Sequence, residues 1–229
     1  MYSFGLHQGV GGLEEGNDQL KQEKSFKWIT WLDGAVNNKF FIQILGYIQP
    51  IRDYIYLQPL NEFRLTIRGA FPVYRYMQTN AFLYGSDLLF SYEWNKSFKW
   101  TSRASLVIGE DKSRGLPLVY MPAQSIQSDL TYSFGDRGRW SGTYLGAHGK
   151  FVFRQNRLEF GQDFLLPPDG YSLFSMEGGT SYSMGQSHLK LSVLIDNLFN
   201  TQYRDYLNRL RYYADETGIN ASFRINYSF

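Results

Sequence analysis

Three histidines, His7, His148 and His188, are the side chains best suited to acid–base or metal chemistry, and they fall in unrelated segments. A Ser-His-Asp site or a His-ligated metal would have to assemble from them in space, because HExxH, GxSxG and CxxC are all absent. Exposed or wall-lining polar residues are the stronger reading, so no catalytic residue, cofactor or metal site is assigned. "GVGGLEEG" (9–16) lacks the Lys-Ser/Thr of a phosphate loop and reads as a loop. The acidic pairs Glu14/Glu15, Glu110/Asp111 and Asp215/Glu216 fall in expected loops, where solvated charge is the default and a cation site is unspecific. Arg204, Arg209 and Arg211 crowd among Tyr203, Tyr206, Tyr212 and Tyr213. The expectation is a strand through an aromatic belt, with guanidiniums stacked on rings; a ligand-facing basic patch is the second reading.

The elements that would position these groups are strands. Among 229 residues there are 18 Tyr, 18 Phe, 5 Trp and 22 Gly, with no Cys. Aromatics suit pleated surfaces and Gly supplies turns, while disulfides and Cys-ligated metals are excluded. Twenty-three basic against 21 acidic residues, scattered along the chain, leave a net charge of +2 and no footprint for nucleic acid. No apolar run approaches the roughly 20 residues of a membrane-spanning helix. A mean hydropathy of -0.36 is compatible with membrane-spanning strands, which alternate. The opening "MYSFGLHQGVGG" has neither a basic nor an apolar signal region, so no export signal is expected there.

The pattern predicts an all-β antiparallel meander of about ten strands, at 25–36, 39–57, 63–78, 80–95, 97–112, 123–136, 140–156, 170–184, 187–206 and 218–229. Phe82, Tyr84, Leu88, Phe90, Tyr92 and Trp94 are expected to oppose Asn80, Asp87, Ser91 and Glu93. Leu189, Leu191, Val193 and Ile195 oppose Lys190, Ser192 and Asp196. Ile126, Leu130, Tyr132 and Phe134 oppose Gln127, Asp129, Thr131 and Ser133. A soluble sandwich alternates too, but these segments have the length of membrane strands. Trp28, Trp31, Trp94, Trp100, Trp140 and Tyr171 lie near segment ends, as boundary anchors do. "VNNKF" (36–40), "EWNKSF" (93–98) and "SMGQSH" (183–188) predict short turns at one rim; the breaks at 109–122, 157–169 and 207–217 predict long loops at the other. The final "ASFRINYSF" puts Phe223, Ile225, Tyr227 and Phe229 on one face of a last strand.

"NLFNTQYRDYLNRLRYYADETGINASFRINYSF" (197–229) resembles the C-terminal end of TonB-dependent outer-membrane receptors, particularly those of Bacteroidota. Asn197, Leu198, Phe199, Tyr203, Arg204, Asp205, Tyr206 and Leu207 carry that structural motif. "EEGNDQLKQEKSFKW" (14–28), "DYIYLQP" (53–59), "RGAFPVYRYMQTNAFLYGSDL" (68–88) and "LPPDGYSL" (166–173) resemble the same family, in the same order. The family's Gly-Arg-Asn before the last strand reads Gly218-Ile219-Asn220 here.

The resemblance implies a Gram-negative outer-membrane barrel contacting membrane lipid. It also implies a last strand (Phe223, Ile225, Tyr227, Phe229) read by the barrel-assembly machinery, and uptake of a siderophore-like ligand. TonB coupling would run through a plug domain, and nothing here resembles a plug or a TonB-box. With strands and connections at about 20 residues each, the chain is expected to supply a C-terminal part of the barrel, "MYSFGLHQ" reading as mid-loop. An independent ten-stranded pore or hydrolase, closed by residues 25–36 against the last strand, and a soluble ligand-binding β-protein are the alternatives.

Overall fold

The computed structural model describes residues 5–37 and 39–229. Its wall is built from nine long strands: β4 (Trp28–Val36), β5 (Phe40–Thr66), β6 (Gly69–Glu93), β7 (Phe98–Asp111), β9 (Ser125–Ser133), β10 (Trp140–Val152), β11 (Tyr171–Met184), β12 (Ser187–Asp196) and β13 (Asn220–Ser228). Each pairs antiparallel with the next in a meander. Short strands β1 (Leu6–Gln8), β2 (Leu13–Glu15), β3 (Lys24–Ser25) and β8 (Leu116–Pro117) attach at one rim. The sequence MYSF at 1–4 and Asn38 within the 36–40 turn lie outside the described residues.

Register makes the wall two-faced. One registered row runs Val36, Phe40, Tyr92, Trp100, Leu130, Ala147, Met176, Ile195, Ala221, apolar on every long strand. Because successive side chains alternate, the neighbouring row falls on the other face. It runs Ala35, Phe41, Ser91, Thr101, Asp129, His148, Ser175 and turns polar after its first two members. The apolar row leaves β4 at its last residue and meets β13 at its second. That stagger is what tilted strands in a barrel wall require.

The connections are asymmetric, as the turn chemistry predicts. Short turns at 37–39, 94–97, 134–139 and 185–186 share one rim; connections 112–124, 153–170 and 197–219 share the other. Rings crowd the short-turn rim on the apolar face: Tyr92 lies 4.9 Å from Trp94, Trp94 4.9 Å from Phe98, and Trp140 4.7 Å from Tyr182.

Several expectations are corrected. The 63–78 segment is not a strand: its first residues end β5 and its last begin β6, with the hairpin tip at 67–68, so nine long strands replace ten. Two offsets in register, between Ile51 and Tyr54 and between Pro59 and Phe63, carry β5 through the Pro/Asn stretch that reads as a break. The 187–206 segment ends at Asp196, because Asn197 turns left-handed (φ 49°) and its side chain ties off Thr201 N at 2.8 Å. Trp31 and Tyr171 alternate onto the polar face rather than the apolar boundary. Residues 25–36 do not close a ring: β4 pairs only β5, and β13 only β12.

The buried hydrophobic side chains, Leu13, Ile51, Leu57, Val73, Tyr74, Ala81, Leu118, Val119 and Tyr206, all lie at the long-loop rim. There β5 and β6 project past the wall and the loops fold over them. Asp111, at the end of β7, is fully buried. Its Oδ1 accepts from Thr79 Oγ1 (2.5 Å), Ser113 N (3.0 Å) and Arg114 N (3.0 Å), and its Oδ2 from Arg114 Nε (2.6 Å). Burial pushes its carboxyl up, but these donors outweigh burial and hold it below the ordinary carboxylate value. Stability from this group is therefore present above that value and lost as pH falls through the depressed one. Asp111→Asn is expected to cost about 1–3 kcal/mol, read as faster amide exchange at Ser113 and Arg114; unchanged protection there would contradict this account of the rim.

Candidate functional site

Two regions bring chemically capable side chains together. The first is the polar face at mid-wall. Period-two alternation on adjacent strands places His148 (β10), Asp129 and Gln127 (β9), Arg103 (β7) and Glu177 (β11) side by side. His148 Nδ1 lies 2.8 Å from Asp129 Oδ1 and Nε2 3.5 Å from Glu177 Oε1. Arg103 Nη1 donates to Asp129 Oδ2 at 2.5 Å, and Gln127 Nε2 to Oδ1 at 3.0 Å. Ser105 Oγ donates to Asp87 at 2.6 Å, and Lys99 pairs with Glu93 at 3.1 Å. Ser175 is the registered neighbour of His148 on β11, but the ring's polar partners are Asp129 and Glu177, and no group of three His, Asp or Glu suited to a metal occurs among the described residues. His188 meets Ser183 Oγ at 3.2 Å, and His7 sits on β1 opposite Glu14. What the mid-wall offers is a hydrogen-bonding surface of mixed charge.

The second region is the loop cluster, and it corrects two sequence expectations. Residues 197–213 are not a strand in an aromatic belt but a loop ending in a 3₁₀ turn, Arg209–Tyr212. The stacking of guanidiniums on rings holds: Arg211 lies 5.0 Å from the Tyr206 centroid and 4.6 Å from Tyr212, and Arg209 lies 5.3 Å from Tyr74. Arg211 also donates to Asp163 from the 153–170 loop, in a pair nearly excluded from solvent, and Tyr212 Oη donates to the same carboxylate at 2.5 Å. Burial pushes the Tyr212 hydroxyl far up and that of Tyr206 up to about 12, so both stay neutral: Tyr212 donates to Asp163, and Tyr206 Oη accepts from Tyr120 N at 3.3 Å.

The acidic pairs are partnered rather than solvated. Glu14 accepts from Arg209 Nη1 (3.0 Å) and Tyr76 Oη (2.7 Å), and Glu15 from Arg75 and Arg64. Those two guanidiniums, Arg75 first, hold Glu15 below its usual range. Asp215 is held low by Arg204, whose Nε donates at 2.5 Å, and then by Gln202. Glu216 accepts from Asn208 Nδ2 at 2.6 Å. Sequence reading missed Asp163 and Tyr120, because their partners lie more than 40 positions away.

The motif residues divide by role. Asn197 ties off its own loop, and Leu198 N donates to Phe174 O at 2.7 Å. The Phe199 ring packs 5.4 Å from Phe174. Tyr203 stacks on Tyr171 (4.4 Å), whose hydroxyl donates to Asp205 at 2.7 Å, and Asp205 accepts from Leu207 N at 2.9 Å. Arg204, Asp205, Tyr206 and Leu207 line a cavity of about 150 Å³ with Lys150. That is below the ~300 Å³ of ordinary ligand pockets. Phe223, Ile225 and Tyr227 are exposed on the apolar face opposite Val193, Leu191 and Leu189, and Phe229 is fully exposed.

Comparisons with known proteins follow this architecture. The solved copper transporter OprC is 23% identical with a TM-score of 0.74, over 94% of this chain and 32% of that one. The siderophore receptor PirA from Acinetobacter baumannii is 17% identical (TM-score 0.62, 93% of this chain and 32% of that one). The FrpB iron transporter from Neisseria meningitidis is also 17% identical (TM-score 0.62, 94% and 32%). The chain thus spans about a third of the length of these structures. No curated protein matches it. All three are named as transporters or receptors. The family described as "TonB dependent receptor-like, beta-barrel" matches residues 1–198, so the chain belongs to the TonB-dependent receptor β-barrel family, whose members are outer-membrane proteins.

Proposed function

We propose that residues 1–229 form the C-terminal part of the barrel of an outer-membrane uptake receptor, with the apolar face against lipid and the polar face lining the interior. The carrying observation is the row that stays apolar across nine strands while the adjacent row turns polar. A water-soluble sheet would cover such a face with a second layer; here Trp28, Leu32, Ile44, Ile48 and Leu88 stay exposed. The cargo of this reading is a metal ion or its chelate, as the names of the siderophore, iron and copper proteins suggest. Energy would come from TonB through a plug domain. With a signal peptide attached, the chain is expected in the outer-membrane fraction, with heat-modifiable migration. Recovery as a soluble periplasmic protein would sink the proposal.

Two substitutions test the faces. Leu88→Arg puts a charge in the middle of the apolar band, where about 2–4 kcal/mol is lost at the bilayer midplane. Thr101→Arg, on the polar face, is expected to cost little. Unfolding from lipid vesicles reads both, and equal losses would contradict the assignment of faces.

The last strand is the part we assign to recognition by the barrel-assembly machinery, through the column Phe223, Ile225, Tyr227 and Phe229. Phe229 makes one ring contact, with Tyr227 at 6.2 Å, so its removal disturbs little of the fold. Deleting Phe229 is expected to lower the assembled fraction in cells while leaving refolding into detergent intact. Equal assembly with and without it would remove the signal from this strand.

A further inference from the structure

The apolar face carries a feature that general lipid contact does not require. Thr30, Gly46, Ser86 and Leu106 form one registered row across β4 to β7, and all but Leu106 are small. On β4 to β6 the flanking rows are bulkier: Trp28, Ile48 and Tyr84, followed by Ile108 on β7, towards the long-loop rim, and Leu32, Ile44 and Leu88, followed by Ala104 on β7, towards the short-turn rim. The small row is the floor of a groove walled by Trp28, Ile48, Tyr84 and Leu106. A Cβ placed on Gly46 would meet only Thr30 Cγ2, at 3.9 Å.

Beyond the long-loop end of this groove, two cations face each other. Lys24 and Arg52 are registered partners of β3 and β5, on the side that alternation gives to Pro50 and Phe82. Both are exposed, and neither forms an ion pair among the described residues. Like charges directly opposite one another destabilise a strand pair. Lys112, near the same level over the Phe82 ring, has its own carboxylate, Glu110, at 2.9 Å. From Lys24 to Trp28 the strand rises about 13 Å, so the cations stand above the groove at the edge of the apolar band.

We propose that the groove and the Lys24/Arg52 pair hold one phosphate-bearing lipid, its acyl chain over Gly46 and Ser86 and its phosphate between the two cations. This rests on the lipid-facing reading of the apolar face. The groove is continuous with that face, so an acyl chain is its natural occupant, and the unpaired cations supply charge complementarity to the headgroup. A guanidinium offers phosphate two parallel donors and an ammonium adds a point charge.

The test is native mass spectrometry of the full chain in detergent with three probes: dioleoyl phosphatidic acid, dioleoylglycerol and inorganic phosphate. Retention of one phosphatidic acid is expected, weakened roughly tenfold or more in Lys24→Gln/Arg52→Gln. Gly46→Leu, which fills the floor, is expected to weaken it as well. The charge-pair variant alters only exposed side chains and decides the matter if Gly46→Leu folds poorly. Equal retention of dioleoylglycerol, equal competition by inorganic phosphate, or unchanged retention in the charge-pair variant would each overturn the site. Insertion into phosphatidylcholine vesicles separates the two proposals: a chain that never inserts overturns the lipid-facing reading, and one that inserts without preferring phosphatidic acid overturns the lipid site alone.

Discussion

Register is the constraint on which the rest of this molecule depends. A single-layer sheet has no second layer to report an error, so which residues face which side is set by strand pairing alone. Slipping any one strand by a residue would exchange its faces. On β12, Leu189, Leu191, Val193 and Ile195 would trade places with Lys190, Ser192 and Leu194. The cost would fall on the apolar side, where a charged or hydroxyl group has no water to bond. Turn geometry helps to hold the register, through residues such as Gly185 at φ 69° and Asn37 at φ 54°.

How much of this was legible depends on the distance over which each feature is encoded. Alternation is local, so the faces of β6, β9, β12 and β13 read directly from their residues. Short polar turns are local too, and the assignment of rims followed. The errors came where the chain departs from simple alternation. Pro59 and Asn61 punctuate β5 as a loop would, yet a bulge absorbs them (Asn61 φ 54°) and the strand continues to Thr66. Strand length also misled in the other direction, because Asn197 ends β12 through its own side chain while the aromatic pattern runs on. Trp31 and Tyr171 show that an aromatic near a segment end is not enough; its parity decides which boundary it meets.

The loop cluster was the least legible part, for a physical reason. Its stability comes from charges whose partners are far away in sequence: Glu14 with Arg209, Asp163 with Arg211, Arg64 and Arg75 with Glu15. A nearly buried ion pair such as Asp163–Arg211 contributes little over an apolar replacement, but it is strict about its partners. It joins the 153–170 and 197–219 loops beside the Tyr212–Asp163 hydrogen bond and the Phe164–Tyr212 ring contact. The same strictness makes the acidic pairs look solvated from sequence and prove structural in the fold.

The open edges carry the last consequence of the topology. Both β4 and β13 run from the long-loop rim to the short-turn rim, because nine strands in an up-and-down meander begin and end in the same direction. Joining β13 directly to β4 would therefore place one parallel pair in an otherwise antiparallel wall. It would also give an odd-stranded ring, whereas bacterial single-chain barrels have even strand numbers. Edges left bare in lipid cost several kcal/mol for each unsatisfied backbone group, which favours pairing with further strands. Antiparallel closure requires an odd number of additional strands between β13 and β4, the first and last of them running from the short-turn rim to the long-loop rim. That parity follows from strand direction alone, and it excludes a ring of two such chains closed edge to edge in the same orientation, because both seams would again be parallel.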